Sequence, residues 1–213
     1  MSRKKLVRFR ETQNMSCIIQ GNELTIQTSL AAIFSLKKEI ILELGCGNGA
    51  YAIALAERNL DKIYLGVDIQ GERLWYGAKT ALEKKLENVY FLRVMVENLE
   101  RCFPLHSISE IWLTFPDPYP RDKKEKKRLT SVRFLKLYKN LLKKGGVVHL
   151  KTDNDTLFDY SLESVVNAGG TILECLPKVP ENLSAKDILS VRTYFENKHR
   201  NAGKAIHYLH FSL

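Results

Sequence analysis

Short apolar runs alternate along the chain with longer segments in which polar and apolar residues mix. Runs rich in Val, Ile, Leu and aromatic residues predict seven strands, at Glu39–Leu44, Lys62–Val67, Val89–Val94, Ile111–Phe115, Val147–Lys151, Thr171–Leu176 and Ala205–Phe211. Apolar residues at helical spacing predict helices at Ala50–Arg58, Glu72–Lys85, Ser131–Leu142 and Asp155–Ala168. Another helix is predicted over Leu24–Leu36, where it would cover one edge of the sheet.

Strands and helices alternate through most of this order, which indicates an α/β fold. Helical crossovers between parallel strands cover both faces of a sheet, so we expect a seven-stranded, mostly parallel sheet with helices on both faces. The last two strands have no clear helix between them, and the last strand is therefore expected to be antiparallel. We interpret residues 1–213 as a single domain, with an N-terminal extension (1–38) and a partly ordered insertion (177–204) before the last strand.

Length and composition exclude several classes of protein. The 213 residues are 45% hydrophobic and 27% charged, which is typical of a folded domain rather than a disordered chain. No apolar run approaches the roughly 20 residues needed to cross a bilayer. Met1–Arg10 is basic but is not followed by the apolar core of a secretory signal. The four cysteines lack the spacing of metal ligands, so we expect reduced thiols, a cytoplasmic location and no metal.

The charge balance points to a polyanionic partner. Thirty-three basic and 24 acidic side chains leave a net charge of +9. An excess of this size favours RNA or DNA over a neutral partner.

A glycine turn follows the first predicted strand, with Gly45, Gly47 and Gly49 in the spacing G-x-G-x-G. Dinucleotide and S-adenosylmethionine sites both use such turns. Glu43 decides between them, because a carboxylate beside the turn repels a pyrophosphate but favours the sulfonium and ammonium groups of S-adenosylmethionine. Asp68 ends the second strand, where an acid takes ribose hydroxyls, although an NAD site would share this feature. The alternative for Glu43 is a partly solvated carboxylate at a strand end.

A second acidic turn ends the fourth predicted strand. Asp117 lies between Pro116 and Pro118, which restrict the backbone and hold the carboxylate in place. Ligands of parallel sheets bind beyond the carboxyl ends of the strands, so Asp117 is expected to face the same crevice as the glycine turn. Residues 121–128 follow with six basic and two acidic side chains. A basic run at the mouth of a site favours phosphate binding over a merely solvated surface.

Five segments, ELGCGNG, GVD, FPDPYPRDKKEKKRL, LKTDN and TYFE, occur in this order over roughly residues 39–213. Together they resemble the bacterial tRNA (guanine-N7)-methyltransferases, which have a class I, Rossmann-like methyltransferase fold. The resemblance implies S-adenosylmethionine as methyl donor and tRNA as substrate, with methylation of guanine N7 in the variable loop. It implies no obligatory protein partner, and a monomer or homodimer; the lack of a long apolar run already predicts no membrane partner.

The resemblance also implies roles for individual residues. Donor contacts would fall on Glu43, Gly45, Asp68, the position of Met95, and Asp117. Asp117 would also be the acidic residue at the catalytic centre. The residues facing the target nucleotide would be Arg121, Asp153, Thr193 and Glu196. Contacts to RNA fall on Lys123, Lys124, Lys126, Lys127 and Arg128. For Thr193 and Glu196 the alternative is a helix capping box, since they are three residues apart.

Three positions depart from the family pattern. Tyr119 replaces a tryptophan but can still stack, and Arg121 replaces a lysine but keeps its charge. Met95 stands where the family has an Asp or Asn that contacts the adenine portion of the donor. The backbone amide of Val96 or the side chain of Glu97 is the alternative for that contact.

Two other functions remain open on the sequence. A catalytically silent RNA-binding protein of the same fold would not hold the donor tightly. A class I methyltransferase acting on a small molecule or protein would be insensitive to salt and would not need the basic run over 121–128.

Overall fold

The computed structural model describes the backbone of residues 3–213 and the side chains of residues 7–121 and 123–213, so Met1 and Ser2 of the predicted extension lie outside the described residues. The strands are β1 (Ile18–Ile19), β2 (Glu39–Leu44), β3 (Lys62–Asp68), β4 (Val89–Arg93), β5 (Ile108–Thr114), β6 (Leu142–Thr152), β7 (Thr171–Leu176) and β8 (His207–Ser212). The helices are α1 (Arg3–Thr12), α2 (Glu23–Phe34), α3 (Ala50–Arg58), α4 (Gly71–Glu83), α5 (Leu99–Cys102), α6 (Val132–Leu141), α7 (Asp155–Asn167) and α8 (Tyr194–Asn201).

All of these strands belong to one sheet, in the order β1-β4-β3-β2-β5-β6-β8-β7. Strand β8 runs antiparallel to both of its neighbours, and the other pairings are parallel. The predicted mostly parallel α/β sheet with an antiparallel last strand is therefore confirmed. The predicted number of seven strands is wrong, because the two-residue strand β1 pairs with β4 and is too short to give a period-two pattern.

Both faces of the sheet are covered, as the continuous apolar character of its central strands requires. On one face, Leu42 and Leu65 pack with Leu30 of α2 and Tyr138 of α6. On the opposite face, Ile41 packs with Tyr51 and Leu55 of α3 and with Leu74 of α4. The predicted helix over Leu24–Leu36 is α2, which begins after the capping residue Asn22 and packs into the first of these two cores.

Residues 177–204 are more ordered than the sequence predicts. They contain a 3₁₀ turn at Ile188–Ser190 and the helix α8, and they bury Val179, Leu189 and Val191 against the α3 face of the sheet. Helix α8 is missing from the prediction because its only buried residue is the charged Glu196, so the helix has no apolar stripe.

The parallel strands β2 to β6 end at one edge of the sheet. Asp68 ends β3 at this edge, and the loops that leave it carry the glycine turn, Met95, Asp117 and Asp153. The acidic and glycine-rich features identified in the sequence thus share one side of the molecule. None of the helices within residues 3–213 has the length and apolar character needed to span a membrane.

Candidate active site

The glycine turn is fixed between two strands. Gly45, Gly47 and Gly49 have φ values of 70°, 59° and 66°, a backbone region that favours glycine over any residue with a Cβ. The backbone N–H of Gly45 donates to the Val67 carbonyl at 2.8 Å, which ties the turn to β3. A Cβ on Gly49 would also collide with the ring of Phe91.

Glu43 is buried beneath this turn and joins three elements. Its Oε2 accepts from the backbone N–H of Ala52 in α3 at 2.9 Å, and its Oε1 accepts from the hydroxyl of Thr114 at the end of β5 at 2.6 Å. Burial raises the pKa of the Glu43 carboxyl to about 7, although both hydrogen bonds oppose the shift. The alternative of a partly solvated carboxylate is excluded, since Glu43 is only 3% exposed.

Asp68 braces the glycine turn from the neighbouring strand. Its Oδ2 accepts from the N–H of Gly47 at 3.0 Å, and its Oδ1 accepts from the N–H of Gln70 at 2.8 Å. Each carboxylate oxygen can accept a further hydrogen bond, so the residue retains capacity for a ligand hydroxyl.

A cavity of about 670 Å³ opens beside Asp68, at the ends of β1, β3 and β4. Its apolar walls include Phe9 of α1, Ile69 and the half-exposed Met95. Asn98 also lines the cavity, and its side-chain amide makes no hydrogen bond to any described residue. Glu97, an alternative to Met95 for the adenine contact, instead pairs with Arg133 at 3.3 Å.

These residues fit the donor that the sequence predicts. The cavity is large enough for an adenine ring, Ile69 in its wall directly follows Asp68, and the glycine turn leaves room for close approach of a ligand. Glu43 and Asp68 place two carboxyl groups near the turn, which suits a cationic ligand and disfavours a pyrophosphate. The contribution of α1 to this cavity was not predicted, because a helix before the first long strand carries no motif.

The Asp117 turn is held in an unusual backbone conformation. Phe115 and Tyr119 have φ values of 51° and 41°, and the N–H of Phe115 donates to the carbonyl of Lys151 at 2.8 Å. Asp117 is exposed at the tip and makes no hydrogen bond or ion pair to any described residue. Its carboxylate is therefore presented to solvent on a stiff support and is free to accept from a substrate.

Arg128 is buried and holds the backbone of this turn. The prediction that Arg128 contacts RNA is therefore wrong. Its Nε donates to the Pro118 carbonyl at 3.0 Å and its Nη2 to the Tyr119 carbonyl at 3.1 Å. The guanidinium lies 4.3 Å from the ring centre of Tyr160, and the residue is only 4% exposed. A buried arginine with these partners is not available to a phosphate.

The remaining predicted RNA contacts lie on the surface. The run Asp122–Lys127 forms a 3₁₀ helix directly after the turn. The basic side chains exposed on or beside it are Arg121, Lys123, Lys124, Lys126 and Lys127.

Helix α8 packs against the start of the Asp117 turn and contacts Asp153, which directly follows β6. The imidazole of His199 lies with its ring centre 6.1 Å from that of Phe115, and its Nδ1 is 3.1 Å from the Asp153 carboxylate. Lys204 donates to the same carboxylate at 2.6 Å. Asp153 thus sits beside the turn with two basic partners.

Thr193 and Glu196 do not both face the site, contrary to the prediction. The hydroxyl of Thr193 accepts from the N–H of Glu196 at 3.1 Å, so Thr193 caps α8, as the capping-box alternative predicts. The Glu196 carboxylate does not complete the box, because it is fully buried and pairs with Lys151 at 2.6 Å and Arg200 at 2.9 Å. The residues exposed at this end of α8 are instead Tyr194 and Phe195, at 73% and 58%.

Comparison with known proteins identifies relatives over the whole chain. A family model described as "Putative methyltransferase" matches residues 37–209. A tRNA (guanine-N(7)-)-methyltransferase of Christiangramia forsetii is 40% identical over 224 residues, covering 100% of this chain and 99% of that protein. An enzyme of the same name from Porphyromonas gingivalis is 42% identical over 179 residues, covering 82% of this chain and 71% of the relative.

Solved structures share the fold at lower identity. An antibiotic-related methyltransferase superposes with a TM-score of 0.68 and 17% identity, covering 93% of this chain and 97% of that one. A SAM-dependent methyltransferase from Aquifex aeolicus superposes with a TM-score of 0.57 and 12% identity, covering 95% and 97% of the two chains.

The assignment of Arg128 can be tested by stability. Arg128→Lys keeps the charge but loses the planar fork that serves two carbonyls, so we expect the free energy of unfolding to fall by about 1–3 kcal/mol. The measurement is equilibrium unfolding in urea. The exposed neighbour variant Lys127→Met should stay within about 0.5 kcal/mol of wild type. Equal stability of Arg128→Lys and wild type would contradict the supporting role.

Proposed function

Because this chain belongs to the tRNA (guanine-N(7)-)-methyltransferase family, we propose that it transfers a methyl group from S-adenosylmethionine to N7 of a guanine in tRNA. One observation carries the proposal most directly. The buried Glu43 carboxylate bonds to Ala52, which follows the glycine turn, and to Thr114, which precedes the Asp117 turn. The two turns therefore leave the same edge of the sheet, which supports the proposal that they open into one crevice.

We assign the donor to the glycine turn and the adjoining cavity. Asp68 would accept from the ribose hydroxyls, Gly45 would allow close approach, and Ile69 and Met95 would form apolar walls for the adenine ring. Glu43 would contribute electrostatically, because ionisation of its buried carboxyl places a negative charge beneath the cationic donor. When bound, the donor supplies an electrophilic methyl group on a sulfonium.

The chain's own residues then have to align and stabilise the acceptor. Guanine N7 presents an in-plane lone pair, so no proton has to leave before attack, and orientation of the base is the main requirement. As the methyl group is transferred, positive charge develops on the purine and its N1–H and 2-amino group become stronger donors. A fixed carboxylate that accepts from this edge stabilises the transition state more than the ground state.

Asp117 is the group proposed for this role. Its carboxylate is exposed, has no partner among the described residues, and is held by a turn that Arg128 anchors. Asp153 is proposed to face the remaining part of the base, where His199 and Lys204 hold its carboxylate in place. Two carboxylate acceptors match the donor-rich edge of guanine and leave the N1 acceptor of adenine unmatched.

The tRNA is proposed to reach this crevice over a basic surface. Arg121 and the exposed lysines of the 3₁₀ helix adjoin the Asp117 turn and would bind phosphates, which makes binding sensitive to salt. We further propose that the chain acts as a single domain, as a monomer or homodimer without an obligatory partner, in the cytoplasm, and on a guanine of the variable loop. The resemblance supports these finer statements.

The catalytic role of Asp117 predicts a selective loss of turnover. Wild type incubated with bulk unmodified tRNA and labelled donor should form 7-methylguanosine, detected by nucleoside analysis. Asp117→Asn should lower turnover by about 100-fold or more, since a preorganised charged acceptor is lost, while donor affinity changes little. Asp159→Asn, at an exposed acid of α7, serves as the matched control. Formation of another nucleoside would overturn the function, and full turnover by Asp117→Asn would overturn the role.

A measurement of donor binding tests which residue contacts the adenine ring in place of the family's Asp or Asn. Asn98 lines the cavity just beyond Met95 and has an unused amide, so we propose that it reads the 6-amino group and N1 of adenine. Asn98→Ala should weaken S-adenosylhomocysteine binding about threefold to tenfold. An analogue without the 6-amino group should lose this difference. Both affinities are measured by calorimetry, and equal effects of Asn98→Ala on the two ligands would contradict the assignment. The control Glu97→Gln should leave both affinities unchanged, because Glu97 pairs with Arg133.

A further inference from the structure

Three ionisable side chains form a buried ion-pair cluster beneath α8: Lys151, Glu196 and Arg200. Lys151 and Glu196 are fully buried, with their charged atoms 2.6 Å apart. The ammonium group of Lys151 also donates to the carbonyls of Val191 at 3.0 Å and Leu189 at 3.3 Å. The other carboxylate oxygen of Glu196 accepts from Nε of Arg200 at 3.0 Å.

The charged groups of Lys151 and Glu196 have their partners within the protein. The three donors of the Lys151 ammonium have three acceptors, and each carboxylate oxygen of Glu196 has a cationic partner. Glu196 could reach a nucleotide only by leaving Lys151 buried without a charged partner. Such a separation is strongly unfavourable, because an uncompensated buried charge loses its hydration without replacement.

The cluster connects the elements that meet at the Asp117 turn. Lys151 lies near the end of β6, and its own carbonyl accepts from the N–H of Phe115, where the turn begins. Glu196 lies in the first turn of α8, directly after the exposed Tyr194 and Phe195. The Lys151 ammonium is 5.4 Å from the ring centre of Tyr51, in the helix that follows the glycine turn.

We propose that Glu196 is a positioning residue that acts through Lys151, and that it does not contact the target guanine. The ion pair fixes the start of α8 against β6, so that the cap Thr193 and the aromatic pair Tyr194 and Phe195 are held beside the Asp117 turn. The rings of the pair lie 5.8 Å apart and are open to solvent. Exposed aromatic rings at an RNA site stack on unpaired bases, and this placement would guide the target nucleotide into the crevice. The inference rests on the proposed function.

A double-mutant cycle on Lys151 and Glu196 separates positioning from direct reading of the base. Glu196→Gln leaves Lys151 buried without a charged partner, and Lys151→Met leaves Glu196 paired with Arg200 alone, so each should raise the KM for tRNA about tenfold. The double variant Lys151→Met/Glu196→Gln removes both charges of the pair, and its KM should fall below that of either single variant and approach that of wild type. The Kd for S-adenosylmethionine should stay within about twofold of wild type in all three, since the change lies on the acceptor side.

Other outcomes would overturn the proposal. If Glu196 reads guanine itself, Lys151→Met keeps that contact and raises the KM little, whereas Glu196→Gln and the double variant both lose it and show the same rise. If the cluster only stabilises the fold, the variants lower the melting temperature and the active fraction but leave the KM for tRNA unchanged. Should a single variant fail to fold, the double variant decides alone: a KM near wild type supports positioning, and a tenfold rise contradicts it.

Two controls complete the design. Glu163→Gln, at an exposed glutamate of α7, should leave the KM for tRNA unchanged. Formation of 7-methylguanosine by wild type tests the proposed function separately, because that result does not depend on how Glu196 acts.

Discussion

A carboxyl group buried under the glycine turn holds the two halves of the site together. Glu43 accepts hydrogen bonds from α3 on the donor side and from the end of β5 on the acceptor side. Burial raises its pKa from 4.5 to about 7, so the stability that the protonated carboxyl contributes is fully present below pH 4.5 and is lost progressively as the pH rises from there through 7. A neutral side chain would avoid the cost of desolvating a carboxylate at this position. A cationic ligand above Glu43 explains the presence of an acid, because the cation would favour the ionised form and offset its desolvation.

The acceptor side is organised by charged residues that the solvent does not reach. Arg128 fixes the carbonyls of the Asp117 turn, and the Lys151–Glu196 pair fixes α8 beside it. Rigid support of this kind leaves Asp117, Tyr194 and Phe195 exposed yet oriented. The functional groups thus stay available to a large substrate while the groups that hold them are buried, which is the arrangement that preorganisation requires.

Local chemistry explains which parts of this structure the sequence could predict. The long strands carry apolar runs, and the glycine turn needs positive φ values at Gly45, Gly47 and Gly49, so both leave signals in neighbouring residues. Arg128 and Glu196 leave no such signal. Arg128 ends a run of exposed lysines, and Glu196 lies in a polar helix, so burial of either depends on partners far away along the chain. Strand β1 and the place of α1 in the wall of the cavity proposed for the donor were missed for the same reason, since both depend on distant contacts.

The central claim is that the Glu43 carboxyl shares a pocket with a cationic ligand, and proton release on donor binding tests it most directly. At pH 6.5 the α-amino group of S-adenosylmethionine already carries its proton, whereas Glu43, with a pKa raised by burial to about 7, is largely protonated. Calorimetric titrations in two buffers of different ionisation enthalpy should show release of about half a proton or more per donor bound in wild type. Glu43→Gln should show none. Tight donor binding without proton release in wild type, or equal release by both proteins, would contradict the account.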